Sequence, residues 1–464
     1  MKYSIWLGVL SALALFFSCE KNDPEQERAE AVPAASATEV SKSYNNGMIH
    51  SYSNATVLAW NEAIRVIENK MPPPAEARIY AMVSLAMHDA LNTIVPKYQA
   101  YAQDNSTLGA SGISKDNIAP LADAAVSQAA YEVLVALFPG AKPVADALLA
   151  SSLAAIADPD LKTAGTGIGH AAAVALFARR QSDFPLIFTT FNIGDAPGAF
   201  QTNYMPWLVA NPNPPFWPQN AAYAVNLGSM APFGMASSEQ FRAVPPYGIN
   251  TPEYTADYDE VKRLGCTACP DRTAEQTEIG AFWVENVSSS MNRVARAMAE
   301  SEKLDGWDAA RMFALLHITQ IDANISSFEG KYYYNYWRPI TAVWAGDTDG
   351  NDQTAGDATW TPTFTTPPTP DYPSTHACTG GAGSELLKLY FKKDKISFTA
   401  ISPYYLPGVE RAYTSITQIG HENALSRIYI GYHFRKAVEE GEKMGRQLGA
   451  YIYKNSLPEL KNKK

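Results

Sequence analysis

Cysteine and histidine are scarce in this sequence. Only 4 Cys and 7 His occur among 464 residues, which excludes a disulfide-built scaffold and leaves few side chains for a metal site or for acid–base chemistry. Positive charge is also the minority, since 37 Lys and Arg stand against 47 Asp and Glu, for a formal net charge of -10. Such a surface repels phosphate backbones and anionic lipid headgroups. We therefore expect no nucleic-acid partner.

Long hydrophobic runs are missing after the first residues. Lys2 precedes an apolar stretch, Ile5 to Phe17, that is too short to cross a bilayer, and Ser18 and Cys19 follow it. This pattern is typical of a bacterial lipoprotein signal, in which 1–18 is the signal peptide and Cys19 becomes the lipidated first residue. The alternative is an ordinary cleaved signal peptide with an incidental cysteine. Both predict export, as a periplasmic or outer-membrane-anchored lipoprotein of the cell envelope or as a secreted protein, with membrane contact only through a lipid on Cys19.

The rest of the chain carries enough apolar residues for a large globular body. Hydrophobic residues make up 46% of the sequence and charged residues 18%, which excludes a disordered or fibrous protein. From Glu20 to about Ser43 large apolar residues are missing, so we predict a flexible tether over 19–54. Neither a βαβ rhythm nor a run of alternating strands is visible. The sequence therefore predicts an all-α fold, one large domain of packed helical bundles over 55–455.

Helix boundaries follow from the apolar spacing and from Pro and Gly. Between Asp183 and Tyr258, Pro, Asn, Gly and aromatic residues predominate, which is typical of long ordered connections. The predicted helices are Ala75–Thr93, Ala119–Phe138, Lys142–Ile156, Leu161–Arg180, Thr273–Asn292, Leu304–Phe328, Ser384–Lys393, Val409–Tyr429 and Phe434–Tyr453.

Three short segments in the C-terminal third combine basic, hydroxyl and imidazole side chains. In the first segment, Lys331 and Arg338 are separated by about two helical turns, so we expect both cations on one helical face. Pro339 follows and biases Arg338 toward leaving the helix, which could turn its guanidinium into a pocket. Taken alone, such a pair is more typical of a solvated stripe.

The second segment is Pro373-Ser374-Thr375-His376, followed by small residues. This order is typical of a helix N-terminus, where the Ser374 hydroxyl and the Thr375 amide can donate hydrogen bonds to an anion. His376 is then placed to give or take a proton at the same anion. The alternative is a capped helix that carries a surface histidine.

The third segment contains Arg427 and His433. Their spacing does not put them on one helical face, so they converge only if the chain breaks between them, and Gly431 supplies that break. Arginine can hold an oxyanion with two hydrogen bonds, and a neutral imidazole can coordinate a metal or attack phosphorus. The alternative for this segment alone is a helix end with an exposed arginine and a packed histidine.

Together these residues, in this order, resemble the three-part motif of the superfamily that unites vanadium-dependent haloperoxidases, type 2 phosphatidic acid phosphatases and bacterial acid phosphatases. Further segments are similar to the bacterial vanadium-haloperoxidase branch. They are Phe328 to Val343, Gly346 to Gly350, Trp360 to Pro362, Asp371 to Pro373, Arg272 to Thr277, Phe282-Trp283 and Ala86 to Ala90. The resemblance covers roughly residues 55 to 455 and places the oxyanion site in 328–440.

The resemblance implies a fold of two helical bundles that holds vanadate. It implies an enzyme, a peroxidase that uses hydrogen peroxide to oxidise a halide to hypohalous acid, with small organic molecules as acceptors. Phosphate could occupy the same site. The residues that would bind the cofactor, carried over by motif position, are Lys331, Arg338, Ser374, Thr375, His376, Arg427 and His433.

The resemblance also implies a role for each of these groups. His433 would be the axial ligand of vanadium, while the lysine and the two arginines would neutralise the vanadate oxygens. Ser374 and the backbone amide of Thr375 would donate hydrogen bonds. His376 would act as the acid–base group and Lys331 would polarise the bound peroxide, so that these two residues and His433 form the catalytic set.

Two departures from the family pattern bear on function. Thr375 stands where the family most often has glycine, which keeps the backbone amide but narrows the pocket. Ala437 stands where the phosphatase branch carries an aspartate that orients the last histidine, which weakens the alternative of an acid phosphatase acting through a phosphohistidine at His433. A third possibility is an envelope lipoprotein that binds oxyanions without catalysis.

Cys266 and Cys269 form a CxxC pair. No second pair accompanies them, so a zinc site is disfavoured, and a local disulfide fits an oxidising compartment. The sequence indicates neither the oligomeric state nor the preferred halide.

Overall fold

The computed structural model describes residues 46–189, 191, 194–201 and 222–460. They belong to one compact unit, Glu39–Lys464. The predicted signal peptide, Cys19 and most of the predicted tether lie outside the described residues. The last part of that tether, however, is folded, because helix α1 spans Asn46–Ile49 and both Ile49 and Tyr52 are buried. The body therefore begins earlier than the predicted residue 55.

The N-terminal part of the body is built from α-helices rich in alanine. They are α2 (Ala55–Ile64), α3 (Pro73–Ile94), α4 (Ile118–Leu137), α5 (Lys142–Ala154) and α6 (Pro159–Arg179). Two prolines open α3, where their missing amide hydrogens cost nothing. Helix α6 packs closely on α4, because a Cβ on Gly169 would lie 2.3 Å from the carbonyl oxygen of Ala125.

The C-terminal part is also helical. Its helices are α7 (Pro252–Leu264), α8 (Ala274–Phe282), α9 (Val287–Ser301), α10 (Gly306–Tyr334), α11 (Pro339–Ala345), α12 (Thr375–Phe391), α13 (Ile416–Tyr429) and α14 (Arg435–Asn455). Helix α10 lies at the centre, buried along most of its length and packed against α3 and α12. None of the described helices is long and apolar enough to span a lipid bilayer.

The predicted helix Thr273–Asn292 is two helices. Helix α8 ends at Phe282 and α9 begins at Val287. Neither Gly nor Pro marks this break, so periodicity alone could not place it. Trp283 is the C-cap residue of α8, and the last carbonyls of a helix lack intrahelical partners, so they remain available to other donors.

The predicted helix Val409–Tyr429 begins too early. Its first part lies in strand β4 (Leu406–Ser415), which pairs antiparallel with β3 (Lys395–Ser402). Val409, Arg411 and Tyr413 alternate along β4, which is the period of a strand. A shorter antiparallel ladder pairs β1 (Phe188–Thr189) with β2 (Ala222–Tyr223). The fold is otherwise mainly α-helical, as predicted.

A stripe of glycines joins α14 to α12. Gly441, Gly445 and Gly449 recur at one-turn spacing, and a Cβ on any of them would lie 2.0 to 2.6 Å from a carbonyl oxygen of α12 or its N-cap. The three carbonyls belong to Ser374, Cys378 and Ala382. The two helix backbones are therefore in direct contact, and side chains do not set their separation.

Candidate functional site

The first predicted segment is divided between two helices. Helix α10 ends at Tyr334, and Asn335 adopts the left-handed conformation that stops it, with φ of +48°. Arg338 is the extended N-cap residue of α11. The prediction that Lys331 and Arg338 share one helical face is therefore wrong. The turn between the two helices nevertheless brings both side chains to one cavity.

Lys331 is buried and is held by backbone carbonyls. Its Nζ donates to the oxygens of Pro370 and Asp371 at 2.8 and 2.9 Å. Burial, together with the nearby positive charge of Arg338, lowers the pKa of Lys331 well below its usual value. The ammonium is therefore strongly desolvated, which favours an anionic partner.

Arg338 is almost fully buried beside His433. Its Nε donates to the Thr369 carbonyl at 2.7 Å, its Nη2 to the Thr369 hydroxyl at 2.9 Å, and its Nη1 to the Tyr432 carbonyl at 2.9 Å. The same Nη1 lies 3.1 Å from Nε2 of His433. These contacts fix the guanidinium against the loop that carries the histidine.

The second predicted segment begins α12, as the sequence predicted. Ser374 is the N-cap, and its Oγ accepts from the amide of Ala377 at 3.4 Å. The hydroxyl of Ser327 donates to that of Thr375 at 2.9 Å. The first turn of such a helix presents backbone N–H groups and the positive end of its dipole to the cavity that Thr375 lines.

His376 presents one free ring nitrogen. Its Nε2 is buried and has no hydrogen-bond partner, although the residue lines the cavity. Burial lowers the pKa of His376 well below its usual value, the charge of Arg427 lowers it further, and a hydrogen bond with the Trp283 backbone opposes both. The side chain is therefore a neutral imidazole with an unsatisfied nitrogen, and such an atom calls for a ligand or a water molecule.

The third predicted segment breaks at the predicted residue. Helix α13 ends at Tyr429, Gly431 has φ of +76°, and α14 starts at Arg435. Arg427 donates through Nη2 to the Trp283 carbonyl at 2.7 Å, the acceptor that the break between α8 and α9 leaves available. Burial lowers the pKa of Arg427 to about 10.

The sequence analysis missed a carboxylate behind His433. Asp371 is fully buried, and its Oδ1 lies 2.8 Å from Nδ1 of His433 and 4.0 Å from Nη1 of Arg338. Burial raises the pKa of Asp371 to about 7 against the opposing pull of Arg338 and Lys331. The phosphatase branch carries such a carboxylate at the position of Ala437, whereas this fold supplies it from the segment before α12.

His433 itself is almost fully buried. Burial lowers its pKa well below the usual value, and the charges of Arg338 and Lys331 lower it further. The ring is therefore neutral, with Nδ1 against Asp371 and Nε2 facing Arg338. A neutral imidazole fixed in this way can act as a ligand or as a nucleophile.

All the predicted site residues except Ser374 line one cavity of about 1070 Å³, and Ser374 caps the helix that borders it. At the bottom, Lys331, Arg338 and Arg427 supply three cations against the single carboxylate of Asp371. Toward the outside, the walls carry the turn Met71–Pro74, Phe364, Tyr404 and Tyr405. The donor set of three cations, helix amides and a free imidazole nitrogen fits a compact tetrahedral oxyanion.

No cluster of three or more His, Cys, Asp or Glu side chains that could hold a metal ion occurs in the described parts of the chain. Cys266 and Cys269 form a disulfide bond, and Cys378 is a buried free thiol. Lys331, Arg338 and Arg427 in the lining of the cavity favour an oxyanion held mainly through its oxygens.

Known proteins are similar to this chain in sequence and in fold. Residues 311–459 match the family model of the VCPO second helical-bundle domain. The vanadium chloroperoxidase of Curvularia inaequalis is 27% identical to this protein in an alignment that covers 78% of this chain and 74% of that protein.

Two solved bacterial structures are also similar. A vanadium-dependent iodoperoxidase is 24% identical with a TM-score of 0.70, covering 91% of this chain and 100% of that chain. A holo-type vanadium-dependent chloroperoxidase is 17% identical with a TM-score of 0.63, covering 83% of this chain and 92% of that chain. Residues 311–459 are therefore similar to the VCPO second helical-bundle domain, and the predicted resemblance to the bacterial vanadium-dependent haloperoxidases is confirmed.

Proposed function

We propose that this protein is a vanadium-dependent haloperoxidase, which oxidises a halide with hydrogen peroxide to hypohalous acid. The observation that carries the proposal is the convergence of Lys331, Arg338 and Arg427 with two neutral histidines on one buried cavity. An excess of fixed cations favours a small oxyanion of high charge over a neutral molecule. In the overall reaction, one halide, one hydrogen peroxide and one proton give one hypohalous acid and one water.

The residues fit vanadate as the resident group. His433 would hold vanadium through Nε2, because Nδ1 lies against Asp371. The three cations and the amide of Thr375 would hold the oxygens, while the hydroxyl of Ser374 caps the helix turn that carries this amide. When bound, vanadate supplies a Lewis acid that makes peroxide electrophilic without changing its own oxidation state.

His376 is the group that can move a proton. Its ring is neutral and its Nε2 is free, so this atom can accept a proton from hydrogen peroxide and give it to the hydroxide that the overall reaction releases as water. Lys331 holds its ammonium beside the same cavity and can donate a hydrogen bond to a peroxide oxygen.

Thr375 is the residue most suited to adjust access to the pocket. Its hydroxyl is tied to Ser327 at 2.9 Å, so its side chain stays in place at the start of α12. A fixed side chain here narrows the approach of peroxide or halide, whereas glycine would leave it open. We propose that Thr375→Gly changes the relative turnover of the halides and leaves vanadate binding intact.

The test uses purified protein loaded with orthovanadate. Halogenation of a phenolic indicator is measured with peroxide and with chloride, bromide and iodide in turn. We expect turnover with at least one halide, and none when vanadate or halide is omitted. Absence of turnover with every halide, in protein that has demonstrably bound vanadate, would refute the proposal.

Two histidine variants separate the assigned roles. His433→Ala should abolish the retention of vanadate, because the direct ligand is lost. His376→Ala should retain vanadate and lose most of the oxidation activity, because only the proton transfer is lost. Equal loss of vanadate in both variants, measured by metal analysis after gel filtration, would contradict these roles.

A second candidate function is an acid phosphatase that uses the same cavity. The observation that favours it is Asp371, since a carboxylate 2.8 Å from Nδ1 of His433 can orient a nucleophilic histidine. His433 would attack phosphorus and form a phosphohistidine, while His376 would protonate the leaving group.

Phosphate-ester hydrolysis separates the two functions. Hydrolysis that exceeds any halogenation, with phosphate trapped on His433 after acid-free digestion, would favour the phosphatase. Halogenation with vanadate and weak hydrolysis without it would favour the haloperoxidase.

We also propose that the protein is exported and anchored by a lipid on Cys19. The support is the order of basic, apolar and small residues that precedes this cysteine. Expression of the full chain with a labelled fatty acid should label the wild type and leave Cys19→Ser unlabelled and released from the membrane. Labelling of neither protein would argue for ordinary cleavage and secretion.

A further inference from the structure

Met71 contributes the only sulfur atom to the described lining of the cavity. It lies in the turn before α3, and its carbonyl accepts from Nδ2 of Asn286 at 3.1 Å. The residue is half-buried. A thioether thus stands in the wall of the cavity that holds the site, on the side formed by the N-terminal part of the chain.

The cysteine sulfurs of the described residues are poorly placed to react. Cys378 is fully buried, burial raises its pKa to about 12, and its Sγ lies 3.8 Å from the Ala323 carbonyl, so it is neither a thiolate nor exposed to the cavity. Cys266 and Cys269 are joined in a disulfide. Among the described residues, Met71 is therefore the sulfur-containing side chain that lines the cavity and faces a small oxidant leaving the site.

Tyrosines are the other oxidisable groups of the mouth. The hydroxyls of Tyr404 and Tyr405 donate to Glu68 at 3.2 Å and to Asn69 at 3.3 Å. Burial raises the pKa of both phenols, so they stay in the neutral, less nucleophilic form. A thioether needs no deprotonation to react with an electrophilic oxidant.

We propose that Met71 is a self-oxidation site that takes an oxygen atom from the hypohalous acid made in the cavity. The step rests on the proposed function, which supplies that acid. An S–O bond forms at Met71 and the bond between oxygen and halogen breaks. The sulfur loses two electrons, the halogen takes them and leaves as halide, and one proton is released. The halide is therefore regenerated, and the product is methionine sulfoxide.

Met48 is the matched control in the same chain. It is half-buried, as Met71 is, but it lies in α1 and does not line the cavity. An oxidant in bulk solution meets both residues, whereas an oxidant released inside the cavity meets Met71 first. The ratio of the two sulfoxides therefore reports where the oxidant originates.

The experiment maps sulfoxides by peptide mass spectrometry in the vanadate-loaded full chain, with bromide or iodide, limiting peroxide and excess free methionine as scavenger. We expect sulfoxide at Met71 to exceed that at Met48 by about tenfold or more. The excess should vanish without halide, without vanadate, and when reagent hypohalous acid is added from outside. A ratio during turnover equal to that with the external reagent would overturn the proposal.

The variant Met71→Leu keeps the size and apolar character of the side chain. We expect it to shift modification to ring halogen on Tyr404 or Tyr405. Halogen on these tyrosines in the wild type while Met71 stays unmodified would also overturn the proposal. An external phenolic indicator is assayed in the same samples. If it is not halogenated, the proposed function fails; if it is halogenated and Met71 is unmodified, only this inference fails.

Discussion

Arg411 and Arg427 lie at opposite ends of Trp283 and have different surroundings. Arg411 donates from Nε and Nη2 to the two carboxylate oxygens of Glu422, at 2.9 and 3.0 Å, and the indole of Trp283 donates to the same carboxylate at 2.9 Å. Arg427 donates instead to the Trp283 carbonyl. Within the described residues, no carboxylate lies at ion-pair distance from Arg427.

The two arginines show how one protein uses the same side chain for structure and for binding. Burial lowers the pKa of Arg411, but the hydrogen bonds and charge of Glu422 outweigh it, so the net direction is upward. Burial lowers the pKa of Arg427 to about 10 with no such compensation. A buried cation with an internal carboxylate stabilises the fold, whereas one without a carboxylate keeps its charge for a ligand.

Removal of Arg427, the arginine at the cavity, should have the largest effect on the affinity for vanadate. We expect Arg427→Leu to lower the affinity for orthovanadate by about 1000-fold, roughly 4 kcal/mol, because a buried charge-assisted clamp is lost. The free energy of unfolding without anion should change by about 1 kcal/mol or less, because no opposite charge is stranded. Titration calorimetry and urea denaturation measure the two quantities.

Arg435 provides the control for position. It follows His433 closely in sequence, but its guanidinium pairs with Glu260 at 2.6 and 2.7 Å, away from the cavity. Arg435→Leu removes the same charge and should leave the vanadate affinity nearly unchanged. A loss as large as that of Arg427→Leu would mean that total charge, rather than placement, governs binding.

Removal of the structural arginine should give the opposite pattern. We expect Arg411→Leu to lower the free energy of unfolding by about 3 kcal/mol, because Glu422 is left with an uncompensated, mostly buried charge. Vanadate affinity should change little. The matched variant Glu275→Gln removes an exposed partner of Arg411, so it should cost about 0.5 kcal/mol or less. Similar losses of stability in both variants would mean that the buried partner Glu422 contributes no more than the exposed partner Glu275.

Asp371 is the carboxylate that lies beside His433 and Arg338 at the cavity. Asp371→Asn removes a negative charge, which favours any anion, and also weakens the orientation of His433, which disfavours a ligand bound through that ring. The loss of the negative charge affects phosphate and vanadate alike. The ratio of their affinities therefore reports the change in the orientation of His433. We expect the preference for vanadate over phosphate to fall about tenfold. An unchanged ratio would mean that Asp371 acts only through its charge.

Acid should erase the stability difference between wild type and Arg411→Leu. Burial raises the pKa of Glu422, but the hydrogen bonds of Arg411 and Tyr413 outweigh it, so the pKa is lowered overall from 4.5. A lowered carboxyl pKa stabilises the fold above the unfolded value, and this contribution is lost as pH falls through the folded value. The two unfolding curves should therefore converge below about pH 4.5. A difference that persists in acid would assign the effect of Arg411 to packing.

Much of this site could be predicted from local sequence. Ser374 and Gly431 are local signals, because a hydroxyl caps a helix and a glycine adopts positive φ wherever the chain places them. The predicted helix ends in the N-terminal part lie within a few residues of those observed, since long amphipathic runs dominate there.

The rest depends on contacts between distant segments. Asp371 reaches His433 only because the fold brings the two segments together, and no spacing in the sequence encodes that approach. Strand β4 was overlooked because the pattern of Val409 to Ser415 was joined to the helix that follows. The alternation of Ile396, Phe398 and Ala400 in β3 was the signal that could have revealed the hairpin.

The glycine stripe between α12 and α14 has a consequence for how the protein can diverge. His376 lies in the first turn of α12, and His433 lies just before α14. At the glycine stripe these two helices meet through backbone atoms, so the distance between them there does not depend on the volume of a side chain. Core residues elsewhere can be exchanged and repacked without altering the gap between the two imidazoles. Any substitution of Gly441, Gly445 or Gly449 would widen it, so these positions should tolerate the least variation, although none of them lines the cavity.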